Sequence, residues 1–148
     1  MDNSLDQYSK PKKQENTKLS IIYWFNPRDS KKGRLFMPIY DKRFNTYPFE
    51  VKYSYLSKFL EKNNASGNHY HNVKEEILIP LQGSFEIFLE DIATKEKEVI
   101  FINGDDNKGI YVKTGISHKI ISKDNNGLLL VFASTNSTLA DEIEYVVE

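Results

Sequence analysis

The stretch GNHYHNVKEE, residues 67 to 76, holds the side chains of this chain that are best suited to chemistry. It contains two of the three histidines, His69 and His71, and it ends in two glutamates. A neutral imidazole can accept and return a proton near neutral pH, and it is also a common ligand of transition metals. The stretch therefore predicts a proton-transfer site or a metal site, with a polar patch on an ordinary strand as the remaining alternative.

The spacing of these residues forms two motifs. His69 and His71 are separated by one residue, which on a strand places both side chains on one face, about 6.5–7 Å apart. Glu76 follows within the pattern H-x-H-x4-E-x6-G over residues 69–83, and G-x2-H recurs at His118. All three histidines of the chain thus fall on motif positions.

The elements that must position these motifs read as short strands. At 85–89 the alternate residues Phe85, Ile87 and Leu89 would share one face of a strand, as in a strand with one buried face. The best candidate for a helix, YLSKFLEKN at 55–63, covers only about two turns at 3.6 residues each. Strand-like segments separated by turns every eight to twelve residues or so predict an antiparallel sandwich or a small barrel.

Composition narrows the classes of function. The chain has 148 residues, 39% of them hydrophobic and 28% charged, which predicts one globular domain. A net charge of -1, with lysine and arginine spread along the chain, argues against nucleic acid as a partner. The absence of cysteine excludes disulfides and thiolate metal ligands.

The ends of the chain and its apolar runs bear on location. The longest apolar run, GLLLVFA at 127–133, is too short to span a bilayer, and the first 18 residues lack the apolar segment of a signal peptide. We therefore expect a cytoplasmic protein without a membrane partner. Residues 1–17 are predicted to be a flexible polar segment, followed by a single domain over residues 18–148.

Together the two motifs resemble the two-part signature of the cupin superfamily, over roughly residues 48–133. The resemblance implies an all-β fold, a cupin-type double-stranded antiparallel β-barrel (jelly roll), with the motif residues lining its mouth. In many cupins the matching positions bind one divalent transition metal through three histidines and a glutamate. Those positions here are His69, His71, Glu76 and His118.

Flanking segments are similar to one branch of the cupins, the WxcM-like nucleotide-sugar 3,4-ketoisomerases of deoxysugar and polysaccharide biosynthesis. Matching segments occur in the same order over most of residues 33–134, namely GRLFMPIY, PFEVKYSYL, GNHYHNVKEEILIPLQGSFEIFLED, GIYVKTGISHKI and LLLVFAS. The resemblance implies an isomerase that acts on dTDP-4-keto-6-deoxyglucose without a cofactor. It would move the ketone from carbon 4 to carbon 3 through an enediol.

Site residues follow from the resemblance position by position. The proton-transfer group falls on His69, with His71 beside it, and the active-site tyrosine falls on Tyr55. Arg34 and His118 are predicted to bind the substrate, Arg34 at the nucleotide phosphates. A histidine with a pKa near 6.5 suits the proton transfer, and a tyrosine hydroxyl can donate a hydrogen bond to the developing oxyanion.

The chain also departs from the ketoisomerase pattern. Ser66 replaces an arginine, and Glu76 stands where several metal-independent members carry glutamine. Two alternatives therefore stay open: a metal-dependent cupin isomerase, epimerase or oxygenase, and a non-catalytic cupin that binds a sugar or nucleotide.

A homodimer is expected from one segment. KLSIIYWF, residues 18–25, reads as an exposed strand, and an unprotected strand edge tends to pair with another chain.

Overall fold

Thirteen antiparallel strands form the framework of the computed structural model, which describes residues 4–29 and 31–147. Three 3-10 helices connect them, at Ser4–Ser9, Gly104–Asp106 and Leu139–Asp141. The strands are β1 (Lys13–Asn16), β2 (Ile21–Trp24), β3 (Arg28–Asp29), β4 (Leu35–Phe36), β5 (Tyr53–Phe59), β6 (Ala65–Tyr70), β7 (Glu76–Gln82), β8 (Ser84–Asp91), β9 (Lys97–Asn103), β10 (Lys108–Val112), β11 (Ile116–Ser122), β12 (Gly127–Ala133) and β13 (Ile143–Glu144).

Two large sheets enclose the core. One has six strands in the order β1-β2-β10-β7-β12-β5, the other has five in the order β13-β6-β11-β8-β9, and β3 pairs with β4 separately. The predicted cupin-type antiparallel β-barrel is confirmed. Phe85, Ile87 and Leu89 on β8 are at most 1% exposed, as the alternation along that segment predicts.

The central strands of the six-stranded sheet are covered on both faces. The inner face of this sheet packs against the five-stranded sheet, and a second cluster that includes Tyr23, Tyr47 and Tyr111 covers its outer face. Residues 37–51 supply part of this cover, and Tyr47 donates a hydrogen bond to the carbonyl oxygen of Ile39. Burial on both faces explains why β7 reads as a nearly continuous apolar run rather than an alternating one.

The domain boundary expected at residue 17 stays a prediction, although regular structure begins before it. Strand β1 pairs with β2 over four residues, from Lys13 opposite Trp24 to Asn16 opposite Ile21. The ammonium of Lys13 also lies 4.6 Å from the centre of the Trp24 ring. Flexibility of residues 1–17 stays a prediction, and residues 1–3 lie outside the described part of the chain.

This pairing corrects the prediction that KLSIIYWF is an exposed edge. Strand β2 lies between β1 and β10, so its backbone is paired on both sides. The edge is β1, a strand of four exposed residues that sequence reasoning assigned to the flexible segment. The homodimer was predicted from an exposed edge at residues 18–25, and β2 does not provide that edge.

Residues 55–59 are strand rather than helix. They belong to β5, which pairs with β12 along its length and places Tyr55 opposite Val131. This pairing outweighs a helical periodicity of two turns, because short helices are marginal without tertiary packing. Within the described ranges, no helix is both long and apolar enough to cross a membrane.

Candidate active site

A bulge near the end of β6 places two of the histidines opposite each other on paired strands. His118 on β11 pairs with His69, whereas the next residue, Lys119, pairs with Gly67, so Asn68 is an extra residue on β6. Gly67 has φ +94°, and a Cβ there would lie 2.3 Å from the carbonyl oxygen of His118. Only glycine therefore allows the strands to approach so closely at this point.

The three imidazoles form one cluster. The ring centre of His69 lies 4.8 Å from that of His71 and 4.7 Å from that of His118. The ring centres of His71 and His118 are 5.5 Å apart. The N–H of Gly115 donates to the carbonyl oxygen of His71 over 3.0 Å, which ties the two sequence motifs together. The spacing of His69 and His71 predicted a shared face, and the cupin resemblance implied that His118 joins them. The structure confirms both placements.

The cluster borders a cavity of about 120 Å³ between the sheets. Pockets that enclose a drug-sized ligand have roughly 300–1,000 Å³, so this space suits one ring of a larger ligand. The polar or charged side chains around it come from both sheets and from the C-terminal segment. They belong to Tyr55, Ser57, Ser66, His69, Lys74, Glu76, His118 and Glu142.

Glu76 is a buried acid that contacts three side chains of the site. Its Oε2 accepts a hydrogen bond from the Tyr55 hydroxyl at 3.1 Å, and its Oε1 lies 3.3 Å from Lys74 Nζ and 3.1 Å from His71 Nε2. Burial alone would raise the pKa of this carboxyl, but the adjacent His71, His118 and Lys74 outweigh it and lower the pKa to about 2. Glu76 is therefore a carboxylate at neutral pH.

Sequence reasoning missed Lys74, although it lies inside the opening stretch. Its side chain is only 3% exposed, and Nζ donates to Ser137 Oγ at 2.9 Å besides pairing with Glu76. Lysines are rarely buried without a partner. The sequence signal was a cation two residues before the motif glutamate, but nothing local distinguishes it from a solvated charge.

Sequence reasoning also missed Asp141, in the C-terminal segment. The carboxylate of Asp141 accepts hydrogen bonds from the backbone N–H groups of Asn72, Val73 and Lys74 at 2.9–3.0 Å. The carbonyl oxygen of Asp141 lies 2.8 Å from His71 Nδ1. Because a carbonyl only accepts, Nδ1 carries the proton and the ring turns Nε2 toward Glu76.

Electrostatics keep two of the histidines neutral. Burial lowers the pKa of His69, with a further contribution from the neighbouring His71. Burial also lowers the pKa of His118, to about 4. Burial raises the pKa of Tyr55, and the adjacent Glu76 adds to this, so the phenol stays protonated at neutral pH. The site thus combines a neutral base, His69, with a protonated hydroxyl, Tyr55.

Arg34 is not brought to this cavity. It is exposed next to β4, with its guanidinium 5.8 Å from the centre of the Phe36 ring, and it is not among the residues that border the cavity. Ser66, which stands where the family pattern has arginine, does border the cavity. The role of Arg34 at the phosphates stays a prediction.

The residues fit the divalent metal of the cupin superfamily only in part. Nitrogen atoms of His69, His71 and His118 lie within 4.8 Å of one another, and His71 Nε2 and His118 Nδ1 are buried without a well-aligned hydrogen-bond partner. Glu76, however, lies outside that group, and its two oxygens already contact Lys74 and Tyr55. The carboxylate that the resemblance implies as fourth ligand is therefore engaged by other side chains.

Comparison with protein families gives a match over almost the whole chain. The family FdtA, described as WxcM-like, C-terminal, matches residues 16–147. A search of the curated proteins gave no match.

Several solved structures share the fold at moderate sequence identity. QdtA, a sugar 3,4-ketoisomerase from Thermoanaerobacterium thermosaccharolyticum in complex with TDP, is 28% identical, with a TM-score of 0.73 over 85% of this chain and 88% of that one. The TDP-quinovose 3,4-ketoisomerase WlaRB from Campylobacter jejuni is 26% identical, with a TM-score of 0.75 over 86% and 94%. A dTDP-4-dehydrorhamnose 3,5-epimerase from Bacillus anthracis is 14% identical at a TM-score of 0.76 over 88% and 81%, which is a likeness of fold alone.

Proposed function

Because this chain belongs to the FdtA family (WxcM-like, C-terminal), we propose that it is a sugar-nucleotide 3,4-ketoisomerase acting on a dTDP-4-keto-6-deoxyhexose. The solved structures that share its fold at 26–28% identity include 3,4-ketoisomerases of TDP-linked sugars. Such an enzyme would act in the biosynthesis of deoxysugars and polysaccharides.

One observation in the site carries the proposal: a half-buried, neutral His69 borders a small cavity together with the protonated Tyr55. Moving a ketone from carbon 4 to carbon 3 requires removal of the proton on carbon 3, an enediol, and return of a proton to carbon 4. We assign the proton transfer to His69, since a neutral imidazole can accept and return a proton.

Tyr55 and His71 have supporting roles in this proposal. The Tyr55 hydroxyl would donate a hydrogen bond to the oxygen that gains negative charge in the enediolate. His71, oriented by Asp141, would contact the substrate or keep His69 in its useful tautomer. His118 and Arg34 are proposed as substrate-binding residues. The cavity accommodates the sugar, and the nucleotide would then lie outside it.

The test is NMR of the untagged protein with dTDP-4-keto-6-deoxyglucose, alongside elemental analysis of the same sample. A 3-keto product from metal-free protein supports the proposal. Turnover that requires bound metal would support the metal-dependent alternative, which the three clustered histidines favour. Binding of TDP without turnover of any 4-keto sugar would instead identify a non-catalytic binding module.

We further propose a homodimer in the cytoplasm, with no metal or other cofactor. The exposed β1 edge offers backbone groups that a second copy could pair with. Light scattering tests the dimer, and a monomeric mass across the concentration range would refute it.

A further inference from the structure

We propose that Lys74 is a positioning residue that excludes divalent cations from the cluster of His69, His71 and His118. It does so because it holds the carboxylate of Glu76 in an internal ion pair. The inference rests on contacts between this chain's own residues. It stands whether or not the chain converts a sugar nucleotide.

The first step is the burial of the pair. The side chains of Lys74 and Glu76 are each 3% exposed, and Nζ lies 3.3 Å from Oε1. Ser137 Oγ, 2.9 Å from Nζ, provides a second fixed partner for the ammonium. A buried carboxylate requires a positive charge or strong donors close by, and Lys74 meets this requirement inside the protein.

The second step is the state of the remaining oxygen. Oε2 of Glu76 accepts from the Tyr55 hydroxyl at 3.1 Å, so both oxygens of the carboxylate have partners within the chain. The histidine nitrogens lie within 4.8 Å of one another, but Glu76 is not part of that group. A metal ion at these histidines would have to compete with Lys74 and Tyr55 for the carboxylate of Glu76.

The third step is charge. An ammonium has no acceptor with which to ligate a metal, and at a buried site it repels a dication strongly. Lys74 thus neutralises the charge of Glu76, as a bound cation would. His69 and His118, the histidines that border the cavity, stay available for hydrogen bonding and proton transfer.

The experiment is a Co²⁺ titration of untagged, chelator-treated protein, followed by visible absorption and calorimetry. We expect no saturable site in the wild type. Lys74→Met should bind one Co²⁺ per chain about 100-fold more tightly or better, since the repulsion is gone and Glu76 is released. Lys74→Arg is the matched control that keeps the charge, and it should bind no more than the wild type. Adding His118→Asn to Lys74→Met should abolish the absorption.

Two results would overturn the proposal. One is a wild-type protein that binds one Co²⁺ as tightly as Lys74→Met. The other is a folded Lys74→Met, with Lys74→Gln as a second neutral variant, that binds no more Co²⁺ than the wild type. If both neutral variants unfold, thermal melts with and without Co²⁺ decide, because rescue by the ion supports the proposal and its absence contradicts it.

This outcome is separable from that of the ketoisomerase test. Failure to convert dTDP-4-keto-6-deoxyglucose leaves the cobalt results unaffected. Wild-type cobalt binding would overturn the role of Lys74 without bearing on turnover by metal-free protein.

Discussion

The space between the two sheets has two ends with opposite chemistry, although the same strands build both. Strand β5, for example, supplies Tyr55 to the polar mouth and Phe59 to the apolar end. At the apolar end, burial is non-directional and any well-fitting side chain stabilises the fold. At the mouth, each buried polar side chain depends on particular partners, as Glu76 depends on Lys74 and Tyr55.

The two ends should therefore fail in different ways. Substitution at the mouth should remove activity from a folded protein, whereas substitution at the apolar end should unfold an otherwise active one. Four predictions test this separation.

The largest effect is expected for His69→Asn, which removes the proposed proton-transfer group. General acid–base catalysis contributes roughly 10²- to 10⁴-fold, so kcat should fall by that factor. The melting temperature should change little, because His69 is only half-buried. Tyr70→Phe is the matched control on the adjacent residue, and NMR of the product checks both. Wild-type turnover by folded His69→Asn would refute the assignment.

Phe85→Ala tests the apolar end. The Phe85 ring is 1% exposed and packs edge-on against Phe59, with ring centres 5.3 Å apart. Its loss should lower the free energy of unfolding by about 3–5 kcal/mol, as measured by urea denaturation. The fraction that remains folded should keep its kcat. Phe101→Ala, at a side chain that is 70% exposed, should cost far less. If Phe85→Ala instead lost kcat and kept its stability, the two ends would not differ in the way proposed.

Tyr55→Phe removes only the hydroxyl that contacts Glu76 and faces the cavity. If that hydroxyl stabilises the developing oxyanion, kcat should fall by roughly 10²-fold while KM changes little. Tyr53→Phe provides the control, since Tyr53 is exposed and its ring lies 5.9 Å from that of Tyr55. An unchanged kcat accompanied by lower stability would restrict Tyr55 to holding Glu76 in place.

The smallest effect is a pH dependence of stability. Burial lowers the pKa of His118 from 6.5 to about 4. Between pH 4 and 6.5 this histidine is therefore protonated in the unfolded chain and neutral in the folded protein. The free energy of unfolding should therefore have its full value above pH 6.5. It should fall as the pH drops toward 4, by up to about 1.4 kcal/mol per pH unit. His69, whose pKa is also lowered by burial, acts in the same direction.

Urea denaturation at several pH values measures this slope, and His118→Gln should show a shallower one. Glu76 contributes separately and at lower pH, because its pKa of about 2 lies below the unfolded value of 4.5. A slope of equal size in His118→Gln would mean that other groups cause it.

Prediction from sequence succeeded where the signal is local. The shared face of Phe85, Ile87 and Leu89, the turns between short strands and the spacing of His69 and His71 are all properties of neighbouring residues. It failed where distant segments decide. The placement of β1 against β2, the conversion of residues 55–59 from a weak helical pattern to β5, and the cover over the outer face of β7 all depend on which strands meet.

By itself, the sequence determined the antiparallel β architecture and the set of residues that could do chemistry, because side-chain alternation and motif spacing act through the backbone of one strand at a time. Only the tertiary structure decided the state of those residues. Lys74 meets Ser137 and residues 72–74 meet Asp141 across more than sixty positions, and no local pattern reports such pairs. Burial makes these pairings necessary, since a charge removed from water must find its partner within the fold.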